Sequence, residues 1–472
     1  MSTTELLKPV LTGGIHNTNF FNGRILTAED LNTEQDANRK QRNRLGRAIG
    51  DGIVYGLKVG VVEEQTLYVT PGLALNRLGQ SLCIPEEGLS DGKIKIPLVP
   101  KMESVTGTSN PFFDCTTKSE SKDSVLSSTG EGIYILVMSP ASEYEGRAPM
   151  VGLNDDSSIT SCGKKYFVEG IQFRLVKLDI SSENINVRVR RELLSLLRKS
   201  NTANISLLRN ILAHLCFGTE EIFSFVQDPF NRDKSSGMSP YVSYGLLDSL
   251  RSLKIPMLTD SDVPLALVFW ISNEIKVDIW SVRRSLVTRP TTELWPLPLS
   301  NRRLVEAEAC FQQFQEQIES IYSSTNDNEL TEINAEDYFR YLPAAGIIPI
   351  STNYLLYSDC LKGIPRLVKG FNPENFFKKY FADMSIRKPV VIEGSNLGAI
   401  INSSLYYPPI HLKSRELIWL YLIRENLESI AKGSSNSPQP YMIFTTGQIQ
   451  YQGDARYNLN RWNYSNYSKV ED

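Results

Sequence analysis

The sequence has few of the residues that usually carry chemistry. Three histidines, His16, His214 and His411, lie far apart, and no Cys-x-x-Cys pair occurs among the six cysteines, at positions 83, 115, 162, 216, 310 and 360. Zinc sites need closely spaced ligand pairs, and disulfide scaffolds are short and dense in cysteine, so neither kind of structure fits. We therefore expect free, mostly buried thiols and no bound metal. His214 lies in the apolar helical segment 207–215, where a structural histidine is expected more often than a ligand.

The sequence also lacks targeting signals and a strong net charge. Its N-terminus has neither the basic start nor the apolar core of a signal peptide, and no run of about 18 apolar residues could span a bilayer. The formal charge is −3 and the pI is near 5.9, so there is no overall basic field to indicate nucleic acid. We expect a cytoplasmic, folded protein of several domains, since 472 residues exceed one domain of ordinary size.

Motifs for catalysis are absent as well. The sequence has no Walker A loop, no Gly-x-Gly-x-x-Gly fingerprint, no His-Glu-x-x-His and no Gly-x-Ser-x-Gly elbow. Carboxylate pairs such as Asp260 and Asp262 occur, but such pairs arise by chance in a chain with 53 acidic residues. We therefore expect a protein that is not an enzyme and that needs no cofactor.

What the sequence does have is a distinctive opening, FFNGRILTAEDL over residues 20–31, followed by a polar run over residues 32–47. Thr27 is a good helix N-cap, and Asp30 occupies the position of its capping-box partner. Acidic residues fill the first half of the predicted helix and basic residues the second half, which complements the helix dipole. This helix has almost no apolar face. It either lies solvated on its own domain or forms an arm that docks on another subunit.

The rest of the sequence predicts an α+β protein with four parts. The first is an N-terminal arm and polar helix, residues 1–50. Short β-branched strands predict a β-sandwich or open barrel over residues 51–188, and apolar helical stripes with a β-hairpin predict a mixed, mostly helical region over residues 189–325. The last is a compact α/β region, residues 326–472, in which residues 415–430 are predicted as one helix and the segment from Tyr441 as a strand.

The C-terminal tail is unusually aromatic, with four aromatic residues in residues 457–467. Large amphipathic rings serve as anchors in protein interfaces, although packing on the same domain is the commoner outcome. From the opening and the tail together we predict these partner-binding residues: Phe20, Phe21, Arg24, Asp30, Arg39, Arg42, Trp462, Tyr464 and Tyr467.

Several segments resemble a family of proteins encoded in bacterial contractile injection system clusters, the phage-tail-like particles. The resemblance covers most of the chain and rests on these segments: residues 20–31, 52–57 (GIVYGL), 69–75 (VTPGLAL), 262–270 (DVPLALVFW), 278–284 (DIWSVRR), 335–346 (AEDYFRYLPAAG), 407–410 (YPPI), 418–426 (IWLYLIREN) and 453–467. The order of an opening helix, a β-domain and helices is also similar to the baseplate adaptor of type VI secretion systems.

The resemblance implies a structural subunit near the baseplate, which connects baseplate wedges to fibres or to a membrane-facing attachment. Its partners would be other baseplate or tail subunits, and three or six copies would occur per particle. A receptor- or glycan-binding tail protein and an effector enzyme carried by the particle remain alternatives. Neither the resemblance nor the residues supply catalytic positions.

Overall fold

A computed structural model describes most of the chain. The described residues are 14–63, 65–87, 91–98, 130–150, 161–180, 185–198, 201–220, 245–253, 256–271, 274–287, 301–352, 354, 368–382, 389–413, 417–432 and 438–446. The predicted α+β class is confirmed.

The predicted N-terminal helix is present as α1, Ala28–Ile49, and it begins at the predicted N-cap. The Thr27 hydroxyl accepts a hydrogen bond from the Asp30 amide, and the Asp30 carboxylate accepts one from the Thr27 amide. This capping box satisfies amide groups that have no partner within the helix. Only Ala37 and Gly46 of α1 are buried, so the polar sequence is matched by an exposed helix.

Within the described residues, eight strands follow before helix α2. They are β1 Gly52–Gly56, β2 Val59–Glu63, β3 Thr66–Val69, β4 Gly72–Leu75, β5 Ser81–Ile84, β6 Ile94–Pro97, β7 Gly132–Met150 and β8 Ser161–Lys177. The first six form two three-stranded antiparallel sheets, in the orders β1-β4-β5 and β2-β3-β6. Short strands between turn residues were predicted here, and alternating burial in β3, β4 and β5 explains why they pair as half-buried strands.

A four-stranded antiparallel sheet, in the order β10-β9-β7-β8, is central to the first half of the chain. It includes the predicted hairpin, observed as β9 Val263–Ile271 and β10 Glu274–Asp278. The hairpin from the predicted 189–325 region thus shares a sheet with strands of the predicted 51–188 region. The four domain ranges stay a prediction.

Successive side chains of a strand point to opposite sides of the sheet, and neighbouring residues of β7 are buried on both of these sides. On one face Tyr134, Leu136 and Met138 share a core with the two small sheets. On the other face Ile133 and Ile135 pack against helices. These helices are α2 Val187–Arg198, α3 Thr202–Phe217 and α4 Leu246–Arg251.

Helix α5, Asn301–Ser324, contacts both α3 and the C-terminal region. A buried polar cluster fixes its position: Arg209 Nη2 lies 3.4 Å from Asp278 Oδ2 and 2.9 Å from Glu316 Oε1, and the Gln313 amide donates to Asp278 over 3.4 Å. Asp278 also accepts from the amides of Trp280 and Ser281. A buried carboxylate with several donors is strongly position-specific, so this cluster sets how the helix and sheet meet.

The C-terminal region contains short helices around one mixed sheet. Its helices are α6 Asp327–Thr331, α7 Ala335–Tyr338, α8 Pro373–Phe376, α9 Lys378–Ala382, α10 Leu397–Ser404 and α11 Arg424–Ala431. The strands β12 Ala345–Pro349, β16 Tyr441–Thr446, β15 Ile418–Ile423 and β13 Val390–Ile392 form the sheet in that order, and β11 Tyr341–Leu342 pairs with β14 Ile410–His411.

The prediction of one helix over residues 415–430 is wrong. Residues Ile418–Ile423 form β15, which lies between β13 and β16, and only Arg424–Ala431 is helical. Five of the six side chains of β15 are buried. A continuous apolar run of this length suits a strand buried on both faces as well as a buried helix, and the cross-strand pairing decides between them here.

In the described part of the chain, no helix combines the length and the apolar character needed to cross a membrane.

Candidate functional site

The N-terminal arm, residues 14–27, is held in a defined conformation by the start of α1. The Arg24 guanidinium forms an ion pair with Asp30 and donates to the Asn19 carbonyl over 2.7 Å. Hydrogen bonds from Thr27, first from its amide and then from its hydroxyl, lower the pKa of Asp30, and the Arg24 charge acts in the same direction. Further along the arm, the Thr18 hydroxyl donates to the Asp30 carbonyl over 2.9 Å. The arm is therefore tied to the helix by polar contacts rather than by a core.

Four large apolar side chains of the arm, and one in the first turn of α1, point into solvent. Phe20 is 55% exposed, Phe21 63%, Ile25 86%, Leu26 51% and Leu31 52%. We call these five residues the arm cluster. Single exposed apolar residues are normal, but five large ones within twelve positions form a patch of the kind that marks an interaction surface. The sequence predicted the two phenylalanines, but not the three aliphatic residues.

Two glycines bring α1 against the body of the protein. A Cβ atom on Gly46 would lie 2.1 Å from the Gly79 carbonyl oxygen, and a Cβ on Gly79 would lie 2.1 Å from the Asn43 carbonyl oxygen. Gly79 also has a φ of +80°, which favours glycine. Arg47 Nε donates to the Leu78 carbonyl over 3.0 Å beside this contact. The second half of α1 is thus anchored on the turn between β4 and β5.

Arg39 connects the middle of α1 to strand β8. Its guanidinium pairs with Asp36 at 3.0 Å and with Glu169 at 2.8 Å, and it lies 5.7 Å from the centroid of the Phe167 ring. Asp30 and Arg39, both predicted to bind a partner, therefore make contacts within the chain: Asp30 with the arm, and Arg39 with strand β8. Arg42 is exposed and has no hydrogen bond or ion pair with the described residues.

A second exposed apolar surface lies on the far part of β7 and β8. Tyr144 is 56% exposed, Tyr166 54%, Phe167 47% and Val168 43%, and the Tyr144 and Phe167 rings meet edge to face at 5.2 Å between centroids. This surface was not predicted from the sequence, because the apolar pattern that predicts a strand covers only residues 132–138, the beginning of β7. The alternation of residues 143–145, Glu-Tyr-Glu, is the signal that could have extended the strand.

A small internal site lies between α2, α3, α4 and β11, next to a cavity of about 410 Å³ lined in part by His214, Glu220, Arg340 and Tyr341. His214 is buried, and its two ring nitrogens lie 2.8 Å from Thr219 Oγ1 and 3.6 Å from Cys310 Sγ. The Tyr341 hydroxyl donates to the Glu220 carboxylate, which also lies 3.6 Å from Arg340.

Burial keeps the His214 ring, the Cys310 thiol and the Tyr341 hydroxyl uncharged, whereas a reactive thiol nucleophile must be in its charged thiolate form. Loss of water lowers the pKa of His214 to about 3 and raises the pKa values of Cys310 and Tyr341. A neutral, buried thiol is inert, because the thiolate is the reactive form. His214 therefore has the structural environment that its apolar helix predicted, and the Cys310 and His214 pair offers no activated nucleophile.

The three predicted tail residues, Trp462, Tyr464 and Tyr467, lie outside the described residues. Among the side chains that are described, no group of three or more histidine, cysteine, aspartate or glutamate residues could hold a metal ion. The site that the structure brings together is therefore the arm cluster, on the arm and the first turn of the capped helix α1, with Arg42 further along that helix.

No family model matches this sequence, and no curated protein matches it. Three chains of solved structures are similar to it, and one of them belongs to the type VI secretion system TssK-TssF-TssG baseplate subcomplex, revealed by cryo-electron microscopy. That chain is 11% identical, and the match covers 46% of this chain and 74% of the other with a TM-score of 0.19. At such values the similarity assigns neither a fold nor a role.

Proposed function

We propose that this chain is a structural subunit of a bacterial contractile injection system, a connector or extension that joins the baseplate to fibres or to a membrane-facing attachment. The sequence segments that resemble proteins of these particles support the proposal. The observation that carries it is the arm cluster, five large apolar side chains that are 51–86% exposed on the arm and the start of α1, where polar contacts hold the chain in place. A free protein gains nothing from this arrangement, whereas a subunit that docks on a neighbour does.

The arm can supply useful binding energy without a deep pocket. Complete burial of a phenylalanine side chain contributes about 1.5–3 kcal/mol, so Phe20 and Phe21 together could supply several kcal/mol when a neighbour covers them. The capping contacts of Arg24 and Asp30 reduce the entropy that the arm would lose on docking. Several copies on one symmetric particle would then multiply a modest contact into high avidity.

Incorporation into purified particles tests the proposal. We would compare a Phe20→Ala, Phe21→Ala double variant with Tyr406→Ala, a matched aromatic truncation, since Tyr406 is 74% exposed and lies in the C-terminal region. The double variant should weaken each arm contact at least about tenfold, because a loss of about 3 kcal/mol exceeds the 1.4 kcal/mol that corresponds to a factor of ten in the binding constant, and it should therefore lower the number of copies per particle. Tyr406→Ala should leave it unchanged.

Cryo-electron microscopy of the same particles would locate the chain. Ordered copies at the baseplate, three or six per particle, with Phe20 and Phe21 buried in a neighbour would support the connector role. Absence from the ordered baseplate would contradict it and would favour an effector carried by the particle. An exposed position at a fibre tip, with Phe20 and Phe21 uncovered, would favour receptor or glycan binding.

A further inference from the structure

Arg283 is a half-buried arginine that joins two segments far apart in the sequence. Its guanidinium donates from Nη1 to the Leu57 carbonyl and from Nη2 to the Gly56 carbonyl, over 2.6 Å in each case. Leu57 has a φ of +53°, in the left-handed region that favours glycine, and its side chain is fully buried. The two hydrogen bonds therefore hold a turn in a conformation that leucine rarely adopts.

Arg283 differs from eight other buried or half-buried arginines in the lack of a counter-ion. Each of those eight has a carboxylate oxygen within 4 Å, and they are Arg24, Arg39, Arg77, Arg209, Arg251, Arg284, Arg303 and Arg340. No carboxylate of a described residue forms an ion pair with Arg283. Burial lowers the pKa of Arg283, and no described carboxylate opposes this effect. A charge that is partly removed from water without a partner costs free energy.

The charges in the surrounding segments do not supply the missing partner. In residues 51–58 and 278–287, which meet at this site, the acidic residues are Asp51 and Asp278. Each already lies beside a different arginine, Asp51 at 3.7 Å and Asp278 at 3.4 Å. Strand β4, which pairs with β1, carries no charged residue. The site around Arg283 therefore has a positive charge that an anion from outside the chain could balance.

Two exposed apolar side chains lie beside this cation. The register of β1 against β4 shifts between Ile53 and Tyr55, and this bulge leaves Val54 42% exposed and Tyr55 55% exposed. Tyr55 directly precedes Gly56, whose carbonyl Arg283 binds. We call Val54, Tyr55 and Arg283 together the Arg283 patch. Tyrosine and arginine are enriched among the residues that dominate binding energy in protein interfaces.

We propose that the Arg283 patch binds a neighbouring subunit that presents an aspartate or glutamate side chain flanked by apolar residues. Two of the five N–H donors of the guanidinium bind backbone carbonyls, so three remain for the carboxylate. Apolar side chains of the neighbour would cover Val54 and Tyr55. Lys58 is exposed and forms no ion pair with a described residue, so it adds a second positive charge beside the patch.

The partial burial of Arg283 favours such a contact. Folding has already removed part of the water around its guanidinium, so docking requires less further desolvation than it would for a fully hydrated arginine. The two hydrogen bonds to the turn also fix the side chain before docking, which lowers the entropy lost on binding. The inference rests on the proposed function only for the expectation that the chain has a neighbouring subunit.

Zero-length cross-linking of the native complex tests the inference. The Arg283→Lys variant keeps the positive charge and places an amine at the site, and a carbodiimide joins an amine only to a carboxylate in direct contact. The variant would replace the unmodified chain in the native host, the complex would be purified through a tag on this chain, and cross-links would be mapped by mass spectrometry. Arg191→Lys is the matched control, because Arg191 is an exposed arginine of α2 that forms no ion pair with a described residue.

We expect position 283 to cross-link to an aspartate or glutamate of another subunit, and we expect position 191 to give no such product. Circular dichroism of the purified variants would verify that both are folded. Cross-links from position 283 to carboxylates of the same chain only would overturn the inference, because the counter-ion would then be internal. The absence of any cross-link from position 283 would overturn it as well.

Competition for places in the complex measures the contribution of the charge. Arg283→Met, produced together with the unmodified chain, should occupy at least about tenfold fewer places, because it leaves the neighbour's carboxylate unpaired in the interface. Arg191→Met should share the places equally. Equal occupancy by Arg283→Met would contradict the inference. If Arg283→Met does not fold, the cross-linking result with Arg283→Lys decides alone.

This inference and the proposed function can fail separately. If the chain lies at the baseplate with the arm cluster buried, but position 283 gives no cross-link to another subunit, the inference is wrong and the proposed function stands. If position 283 cross-links to a subunit of an assembly that is not a contractile particle, the inference stands and the proposed function is wrong.

Discussion

Replacement of Gly46 by alanine sets helix propensity against packing, and the structure predicts that packing dominates. In an exposed helix, alanine stabilises relative to glycine by about 1 kcal/mol, because glycine loses more backbone entropy on folding. Gly46 lies in the interior of α1, which is otherwise largely exposed. If helix propensity alone decided the outcome, Gly46→Ala would therefore stabilise α1 and slow hydrogen exchange of its amides.

The contact with Gly79 reverses this expectation. The new Cβ would lie 2.1 Å from the Gly79 carbonyl oxygen and 2.8 Å from its carbonyl carbon, both backbone atoms that cannot rotate away. The helix would have to move by about 1 Å or more, and overpacking of this kind costs typically about 1–3 kcal/mol. After subtraction of the propensity gain of about 1 kcal/mol, the net effect should be a loss of up to about 2 kcal/mol in the attachment of the second half of α1.

Hydrogen exchange of peptides from α1 measures this local attachment directly, because it reports opening of a segment rather than global unfolding. We expect exchange over residues 40–49 to rise in Gly46→Ala, by up to about 30-fold. Gly398→Ala is the matched control, since Gly398 lies in helix α10 and a Cβ there meets no atom within 4 Å. It should lower exchange in α10 or leave it unchanged. Equal protection of α1 in both variants would refute the packing argument.

Three further outcomes follow from the described contacts. Arg209→Met should lower the free energy of unfolding by about 3–5 kcal/mol in urea titrations, because it leaves the fully buried Asp278 carboxylate without its cationic partner, whereas Arg42→Met should change it by less than about 0.5 kcal/mol. His214 stays neutral in the folded protein down to about pH 3 but takes up a proton near pH 6.5 when unfolded. Its contribution is therefore complete above pH 6.5, and stability should fall by up to about 1.4 kcal/mol per pH unit as acid is added, with a weaker slope in His214→Gln. Thr27→Ala should cost the start of α1 about 1 kcal/mol, seen as faster exchange over residues 28–32.

Local chemistry was enough to predict much of the N-terminal half. The capping box at Thr27 and Asp30 needs only residues three positions apart, and the structure contains both of its hydrogen bonds. The turn around Gly79 likewise separates two short strands, β4 and β5, which are consecutive along the chain and pair with each other. Such local interactions depend on residues that are close in the sequence, so a short stretch of sequence is enough to predict them.

Contacts between residues far apart in the sequence could not be predicted from such short stretches. The segment Ile418–Ile423 is apolar on all sides, and its strand state follows from pairing with β13 and β16, which lie on either side of it in the sequence. The close approach of Gly46 to Gly79 and the ion pair of Arg39 with Glu169 join positions 33 and 130 residues apart. The hydrophobic periodicity of the sequence carries no information on these contacts. The attachment of α1 and the length of the hairpin of β7 and β8 therefore could not be predicted.

The same contacts explain how an exposed arm can present its apolar side chains to a partner in one defined orientation. The arm cluster has no core beneath it, so its position depends on Arg24 and Asp30 at one end of the helix and on Gly46 and Gly79 at the other. Loss of either attachment would leave the five apolar residues unchanged, but the arm and helix that carry them would no longer hold one orientation. Affinity would then fall through the entropy of ordering rather than through lost contact area. Gly46→Ala should therefore weaken docking even though it touches no partner, and it should do so without altering any residue of the arm cluster.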